Sequence, residues 1–308
     1  MPHLAFSIVI CTHNRAQYLA KALAGVARQD FPTDQFEVLV IDNASTDETK
    51  LVVDGFQGRD HNLHYVYEAK LGLSIARNTG WRKAAGQYIA YLDDDAIPSE
   101  TWLTHAANAI EQRNHDIGML GGRVEPIWEQ PRPEWLDDQL LSLLSMVDLG
   151  PTTQYVDDDF GIVGANMIIP RHLLEQFGGF SSEVGRIGNL LLSGEETLLK
   201  RRLAKAGYRG YYSPDVSVQH HAPADRLTKK WFLERMYWQG RSSAALMRLE
   251  DTIPWSRRAP KSALELLKAA ILFVGSLVPG QKFVLRARAN GHLGLAEGLC
   301  QSGASQCD

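Results

Sequence analysis

Length, composition and charge limit the class of protein before any motif is considered. The 308 residues, 44% hydrophobic and 22% charged, fit a soluble globular protein with one large domain or two small ones. The net charge of −4 gives no general attraction to nucleic acid, so we expect no nucleic-acid partner. The longest apolar run, residues 269–278, is about half of the ~20 residues that span a bilayer.

Strands and helices are predicted to alternate along the first 92 residues. Apolar runs rich in branched side chains predict buried strands at residues 6–11, 36–41, 63–67 and 88–92. Apolar residues at helical spacing predict helices at about 18–29, 46–56 and 73–85. This alternation predicts an α/β fold with a mostly parallel sheet covered by helices on both faces.

The rest of the chain is less regular. We expect helices at 102–113 and 195–206, a loop at 128–133, and strands at 119–124, 161–169, 208–212 and 216–219. Beyond His221 the apolar pattern becomes helical. We therefore expect a catalytic domain at 1–222 and a helical C-terminal extension at 223–308.

The extension carries an apolar stripe and an excess of positive charge. Leu264, Leu267, Ile271 and Val274 recur at helical spacing. Residues 225–308 contain 13 Lys and Arg against 7 Asp and Glu, whereas the first 224 residues have a net charge of −10. Packing of the stripe onto the catalytic domain is the first expectation. Peripheral contact with a membrane interface and a homodimer contact remain open.

Cysteine usage and the first residues bear on the compartment. The three cysteines show no metal-binding spacing and fit a reducing environment. Met1-Pro2-His3 leads into a strand without a basic segment, so we expect no secretory signal peptide. We expect a cytoplasmic protein, with a peripheral position on the cytoplasmic face of the membrane left open.

Three adjacent carboxylates end the fourth predicted strand. Asp93-Asp94-Asp95 follows the apolar residues 88–92, and the chain then turns at 96–98. Ligands of open α/β sheets bind outside the carboxyl ends of the strands. Oxygen ligands are what Mg²⁺ and Mn²⁺ prefer, and a cation would relieve the repulsion between the acids. The tripeptide predicts a divalent-cation site, with a solvated acidic turn as the alternative.

Other polar residues follow the first strands or lie on the helices beside them. Thr12, Asn14 and Arg15 lie between a strand and a helix, where backbone N–H groups can meet a nucleotide. Asn14 can equally cap the helix. Asp42 ends the second strand and can accept a hydrogen bond from a base, or belong to a turn. Arg77 can stack on a base or hold phosphate, or form a surface ion pair.

Two pairs of ionisable residues come later. Glu195-Glu196 opens a predicted helix, where acids ordinarily complement the helix dipole. His220-His221 ends a predicted strand, and imidazole can bind metal, donate to phosphate or be buried as a structural group. Alternation along a strand lets one of the two histidines face a site, without deciding which.

In order and spacing, five segments resemble glycosyltransferase family 2, whose members have the GT-A fold. The segments are residues 7–15, 40–47, 76–80, 92–95 and 194–196, and the resemblance covers roughly residues 5–222. It implies a Rossmann-like enzyme that transfers a sugar, with inversion, from a nucleotide-diphosphate sugar to a hydroxyl of a glycan or lipid-linked acceptor. UDP-sugar is the expected donor, with GDP- and dTDP-sugars left open.

The resemblance also implies roles for the acids. Asp42 matches an acid that contacts the donor base, and Asp93 matches one on the ribose or metal side of the donor. Asp95 is expected to coordinate Mn²⁺ or Mg²⁺ between the two phosphates, with Asp94 more peripheral. A histidine near His220 and His221 completes the metal or diphosphate site in many GT-A enzymes.

The general base is expected in the acid pair. The family has Glu-Asp here, and its second acid is the usual base, whereas this chain has Glu196 at that position. We therefore expect Glu196 to deprotonate the acceptor hydroxyl, with Glu195 as its rival. One alternative function is a sugar-phosphate nucleotidylyltransferase, although residues 12–15 lack its glycine-rich loop. The other is a catalytically silent scaffold of a glycan-assembly complex.

Overall fold

The computed structural model describes residues 4–57, 62–113, 116–156, 161–187, 190–278 and 282–301. The chain divides into two compact units. The first contains Met1–Ile127, Ser145–Ser182 and Glu195–His221, and the second contains Trp128–Leu144, Glu183–Gly194 and Ala222–Asp308. The predicted extension thus falls in the second unit, together with two segments that the sequence analysis assigned to the catalytic domain.

The first unit is built on one mixed sheet, which has nine strands among the described residues. The strands are β1 (Phe6–Thr12), β2 (Phe36–Asp42), β3 (Leu63–Tyr67), β4 (Tyr88–Asp93), β5 (Ala96–Pro98), β6 (Ile117–Trp128), β7 (Gln154–Val156), β8 (Asn166–Pro170) and β9 (Arg209–Ala222). Their order is β3-β2-β1-β4-β8-β6-β9-β5, with β7 also paired to β9.

The helices of the first unit are α1 (Ala16–Val26), α2 (Thr49–Gln57), α3 (Leu73–Lys83), α4 (Trp102–Glu111), α5 (Arg171–Phe177) and α6 (Glu195–Lys205). The predicted alternation of strands and helices is confirmed, and the α/β fold class with it. The sheet is mixed rather than mostly parallel, because within the described residues only the pairings of β1 to β4 among themselves are parallel. Helix α5 was not predicted, because its seven residues follow β8 directly and are too few to show a helical period.

The parallel part of the sheet brings three strand ends together. Strand β1 pairs in parallel with β2 and β4, in a register that sets Thr12 opposite Asp42 and Cys11 opposite Asp93. Strands β1 and β2 are buried on both faces, which explains their continuous apolar runs. Beyond β4, the pairings β4–β8, β8–β6, β9–β5 and β9–β7 are antiparallel.

Two strands of the sheet, β6 and β9, are longer than the sequence predicted. Residues 208–212 and 216–219 belong to one strand, β9, whose residues 213–215 are polar or proline and hide its continuity in the sequence. Strand β6 runs on to Trp128, where a loop was expected. The lengthening matters because β9 carries its histidines to the same edge of the sheet as Asp95 through its pairing with β5.

The second unit is mainly helical. It contains α7 (Lys229–Leu249), α8 (Trp255–Gly275) and α9 (Lys282–Cys300), with 3₁₀ helices at Asp138–Leu144 and Ala224–Arg226. Helices α7 and α9 lie too close for a side chain at Gly240. A Cβ added there would lie 1.9 Å from the carbonyl oxygen of Gly291. Within the described ranges, no helix has the length and apolar character needed to cross a membrane.

Candidate active site

A group of carboxylates and one imidazole lies at the carboxyl edge of the parallel strands. Asp93, Asp95 and His220 each offer a ligand atom, and these atoms lie within 4.8 Å of one another. His220 Nε2 is 3.0 Å from Asp95 Oδ1 and 4.0 Å from Asp93 Oδ2. Carboxylate oxygen and imidazole nitrogen are donors that suit Mn²⁺. The three residues therefore fit a divalent-cation site.

Backbone pairing fixes the position of His220. Strand β5 begins directly after the three aspartates, and Ala96 lies opposite His220 in the β5–β9 register. The N–H of His221 donates to the carbonyl oxygen of Asp95 over 2.9 Å. Because neighbouring side chains of a strand point in opposite directions, the His221 ring packs instead on Tyr18, with ring centroids 5.1 Å apart. His221, a predicted metal ligand, is thus outside the group that contains His220.

Arg15 is held against two of the three aspartates. Its Nη1 lies 2.8 Å from Asp94 Oδ1, and its Nη2 lies 2.6 Å from Asp95 Oδ2. Burial disfavours the charged guanidinium, but the attraction of Asp94 and Asp95 outweighs this and raises the pKa of Arg15. The predicted nucleotide-binding arginine is therefore positioned by the acids themselves.

Asp94 has a different environment from its neighbours. It is buried and accepts a hydrogen bond of 2.7 Å from Thr12 Oγ1 besides its contact with Arg15. Burial raises the pKa of Asp94 to about 7, although Arg15 and the Thr12 hydroxyl act in the opposite direction. Asp94 thus fastens β4 to the end of β1 and to Arg15, and it is absent from the group of three candidate ligands.

Arg77 forms a buried bridge rather than the surface ion pair considered as an alternative. The residue is 3% exposed, and its Nη1 lies 2.7 Å from Glu195 Oε1. Its Nη2 lies 3.6 Å from Asp93 Oδ1. Gly164 makes room for the guanidinium, because a Cβ there would lie 2.0 Å from Nη2. Burial lowers the pKa of Arg77, but the attraction of Glu195, Glu196 and Asp93 dominates and raises it.

The acid pair at the start of α6 contains two unlike carboxylates. Glu195 is buried and bonded to Arg77, whereas Glu196 is partly exposed. Burial, reinforced by the nearby charge of Glu196, raises the pKa of Glu195 to about 7 against the opposing effect of Arg77. One oxygen of each glutamate, Oε2, is buried without a hydrogen-bond partner among the described residues. Besides complementing the dipole of α6, the pair therefore supplies Glu195 as the buried partner of Arg77.

The end of β2 forms a second polar region. Asp42 accepts hydrogen bonds from the Tyr65 hydroxyl at 2.6 Å and from the Ser45 N–H at 2.9 Å. The adjacent Asn43 donates to the carbonyl oxygens of Glu68 and Lys70, and its Oδ1 accepts from the Gly72 N–H. Asn43 therefore shapes the loop that leads into the helix of Arg77.

Asn14 does not cap α1, contrary to the alternative from its sequence position. It has a positive φ of 53°, and its Oδ1 accepts a hydrogen bond of 2.7 Å from the Thr46 N–H. The N–H of Ala16, at the start of α1, instead donates to Asp47 Oδ2 over 3.0 Å. The other oxygen of Asp47 accepts from the Thr49 N–H at the start of α2. Asn14 and Asp47 thus tie the two strand-end loops together.

Sequence reasoning missed several residues that support the site. Gly164, Asn43 and Tyr65 were not singled out, although they give space to Arg77, order its loop and bond to Asp42. The only signal for Asn43 was its place immediately after Asp42 at a strand end. Gly164 and Tyr65 carry no local signal, because their contacts join distant parts of the chain.

Comparisons with known proteins agree with this geometry. The family described as "Glycosyl transferase family 2" matches residues 7–162, and "Glycosyl transferase family group 2" matches residues 88–280. A glucosyl-dolichyl phosphate glucuronosyltransferase of Haloferax volcanii is 24% identical over 243 residues, covering 78% of this chain and 76% of the relative. The succinoglycan biosynthesis protein ExoM of Rhizobium meliloti is 26% identical over 307 residues, covering 96% of this chain and 93% of ExoM.

A solved structure supports the fold. The mannosyltransferase PcManGT from Pyrobaculum calidifontis, in complex with GDP-Man and Mn²⁺, superposes with a TM-score of 0.64 at 23% identity. The match covers 96% of this chain and 86% of that one. The sheet with its carboxylate edge has the GT-A fold, and the relatives named above place the chain among glycosyltransferases. The chain belongs to glycosyltransferase family 2, which removes the basis for the nucleotidylyltransferase alternative. Relatives named as glycosyltransferases support an enzyme over a silent scaffold.

Proposed function

We propose that the protein transfers a sugar from a nucleotide-diphosphate sugar to a hydroxyl of a glycan or lipid-linked acceptor, with a divalent cation and a carboxylate base. The observation that carries this proposal is the convergence of Asp93, Asp95 and His220 at one sheet edge, with Arg77 connecting that edge to the acid pair of α6. Donor handling and proton removal would then occur in the first unit.

Asp93, Asp95 and His220 would hold the cation, either Mn²⁺ or Mg²⁺. When bound, such an ion offsets the negative charge that develops on the leaving diphosphate. Arg15 keeps Asp95 in place from the other side through a contact of 2.6 Å. Support for Mn²⁺ comes from PcManGT, whose structure is a complex with GDP-Man and that ion.

The nucleotide is proposed to lie along the ends of β1 and β2, near Thr12 and Asn14. Asp42 would accept a hydrogen bond from the base, because a carboxylate has about four lone-pair sites and the structure gives Asp42 two donors. Arg77 would not stack on the base. It would instead hold Asp93 in place through the contact between its guanidinium and the Asp93 carboxylate. We keep UDP-sugar as the first donor and GDP- or dTDP-sugar as alternatives.

Glu196 is the proposed general base. Its rival Glu195 gives one oxygen to Arg77 and is buried, so that it is poorly placed to meet a hydroxyl arriving from solvent. Glu196 is more exposed and stands at the position where the family has its base. We propose that the base assists attack opposite the leaving group, which gives inversion, as the family resemblance implies.

The class of acceptor rests on the relatives. The Haloferax relative is named for a glucosyl-dolichyl phosphate, and ExoM for succinoglycan biosynthesis. We therefore propose a glycan or lipid-linked acceptor for this chain. A cytoplasmic location is part of the proposal and is supported by the free thiols of Cys11 and Cys300.

The proposed function is tested by a transfer assay with UDP-, GDP- and dTDP-sugars, with Mn²⁺, with Mg²⁺ and with a chelator. Release of one nucleoside diphosphate, dependent on the cation and lost in Asp93→Asn with Asp95→Asn, is the expected result. The matched control replaces Asp54 by Asn, since Asp54 is exposed and pairs with Lys50 in its own helix, α2. Release that continues in the double variant would overturn the proposal.

A further inference from the structure

Helix α8 exposes its apolar side. The stripe predicted from the sequence is continued by Val278, just beyond the helix, and we call Leu264, Leu267, Ile271, Val274 and Val278 the outer stripe of α8. These side chains are between 50% and 64% exposed. The expectation that the stripe packs on the rest of the chain is therefore wrong, because periodicity identifies a shared face without showing what covers it.

The side of α8 that packs on α9 is polar instead. Ser262 and Glu265 are buried, although both are polar or charged. The Ser262 hydroxyl donates to the carbonyl oxygen of Ala296 over 2.9 Å. The Glu265 carboxylate contacts Lys268 Nζ at 2.8 Å and His292 Nδ1 at 2.5 Å. Rotating the helix to bury the outer stripe would break the contacts of Ser262 with Ala296 and of Glu265 with His292, so the exposure is built into the packing of α8 on α9.

The outer stripe is long and continuous. From Leu264 to Val274, within the helix, it extends over about 15 Å at the rise of an α-helix. Leu277, beside it, is also 67% exposed. Scattered apolar residues are ordinary on a protein surface, but a contiguous exposed patch marks a site of contact with a protein or a membrane.

The charges around the outer stripe identify the partner. Arg257, Lys261 and Lys268 lie on α8 beside the outer stripe, and Lys268 pairs with Glu265, the one acidic residue of the helix, which is buried. On α9 the exposed Arg286 places its guanidinium 5.8 Å from the ring centroid of Phe273 on α8. A basic helix with an apolar face is the form of segment that lies in the interface of an anionic membrane.

A second copy of the chain fits less well, since a symmetric contact presents the same patch twice and α8 offers no exposed carboxylate to its own cations.

We propose that the outer stripe of α8 inserts at the boundary between headgroups and acyl chains of an anionic lipid bilayer, with the surrounding lysines and arginines at the lipid phosphates. The contact is peripheral, because the described helices lack the length and apolar character to cross the membrane. It does not depend on the donor or the acceptor of the proposed reaction.

The test is flotation of the full chain with vesicles of phosphatidylglycerol and phosphatidylcholine, compared with vesicles of phosphatidylcholine alone. We expect the protein to float with the anionic vesicles and to be released by salt. Ile271→Glu with Val274→Glu should reduce flotation at least tenfold. The matched control is Leu51→Glu, because Leu51 is 69% exposed on α2 of the first unit and its variant should float like the parent.

A second pair of variants tests the charges. Arg257→Gln with Lys261→Gln should weaken flotation, whereas Arg82→Gln with Lys83→Gln, which removes two exposed cations from α3, should not. An unchanged thermal midpoint shows that the variants are folded. Failure of the parent chain to float would overturn the proposal. So would a concentration-dependent dimer in sedimentation that Ile271→Glu with Val274→Glu abolishes, because a second copy would then cover the stripe.

Discussion

Arg77 Nη1 lies 2.7 Å from Glu195 Oε1, and both side chains are almost wholly buried. The two residues are 118 positions apart in the sequence, on α3 and α6. The other end of the guanidinium lies 3.6 Å from Asp93 Oδ1 at the end of β4. Arg77 thus couples the acid pair to the candidate metal ligands, and a change at Arg77 acts on both.

Above pH 7, where Glu195 is ionised, Arg77→Met is expected to destabilise the protein by about 3–5 kcal/mol, because it leaves this buried carboxylate without its partner. Urea unfolding followed by circular dichroism measures the change. Arg82→Met is the matched control: Arg82 is exposed on the same helix, and its replacement should alter stability by no more than about 0.5 kcal/mol. Equal effects of the two substitutions would show that the buried bridge does not stabilise the fold.

Glu195 predicts a particular dependence of stability on pH. Burial raises its pKa from 4.5 to about 7, so between these values the folded chain holds a proton that the unfolded chain has released. This contribution is present below pH 4.5 and is lost as the pH rises to 7. The stability of the parent relative to Glu195→Gln should therefore fall by up to about 3 kcal/mol over that range.

Urea unfolding of both proteins at about pH 4, 6 and 8, which lie below, between and above the two pKa values of 4.5 and about 7, measures this difference. Asp94 also has a raised pKa, but it is present in both proteins and its effect cancels. Parallel curves of stability against pH would contradict the prediction.

If Glu196 is the general base, its replacement should slow sugar transfer without weakening donor binding. Glu196→Gln should retain donor binding and lower the rate of transfer by about 10²–10⁴-fold, the usual contribution of a general base. Glu196→Asp should keep part of the activity, because it restores the residue that the family has there. Stopped assays of product formation, with donor affinity measured in parallel, test both. Full activity of Glu196→Gln would move the role to Glu195 or elsewhere.

Replacement of the two adjacent histidines should affect the Mn²⁺ requirement of donor binding very differently. His220→Ala should raise the Mn²⁺ concentration needed for half-maximal donor binding at least tenfold, because His220 Nε2 lies 3.0 Å from Asp95 Oδ1. His221→Phe should leave it within about twofold, because the His221 ring packs on Tyr18 and an aromatic ring can replace it there. Calorimetric titrations at several Mn²⁺ concentrations measure both. A similar rise in the required Mn²⁺ concentration in the two variants would show that His221 also belongs to the cation site.

The sequence predicted the strands that carry the site better than the contacts within it. Buried strands such as β1 and β2 read as apolar runs, and parallel pairing brings Thr12, Asp42 and Asp93 to one edge. The partners of Arg15 and Arg77 were not predictable, because they depend on contacts between residues 79 to 118 positions apart. Likewise, the outer stripe of α8 was identified from its spacing, but its exposure depends on the polar contacts between α8 and α9.

The cation site is tested most directly by a calorimetric titration of the protein with UDP, GDP and dTDP and their sugar conjugates, with Mn²⁺ and after chelation. If Asp93, Asp95 and His220 hold the cation, one nucleotide series should bind, binding should need the cation, and Asp95→Asn should remove this dependence. Binding of equal strength with and without Mn²⁺ in both the parent and Asp95→Asn would contradict a cation site formed by Asp93, Asp95 and His220.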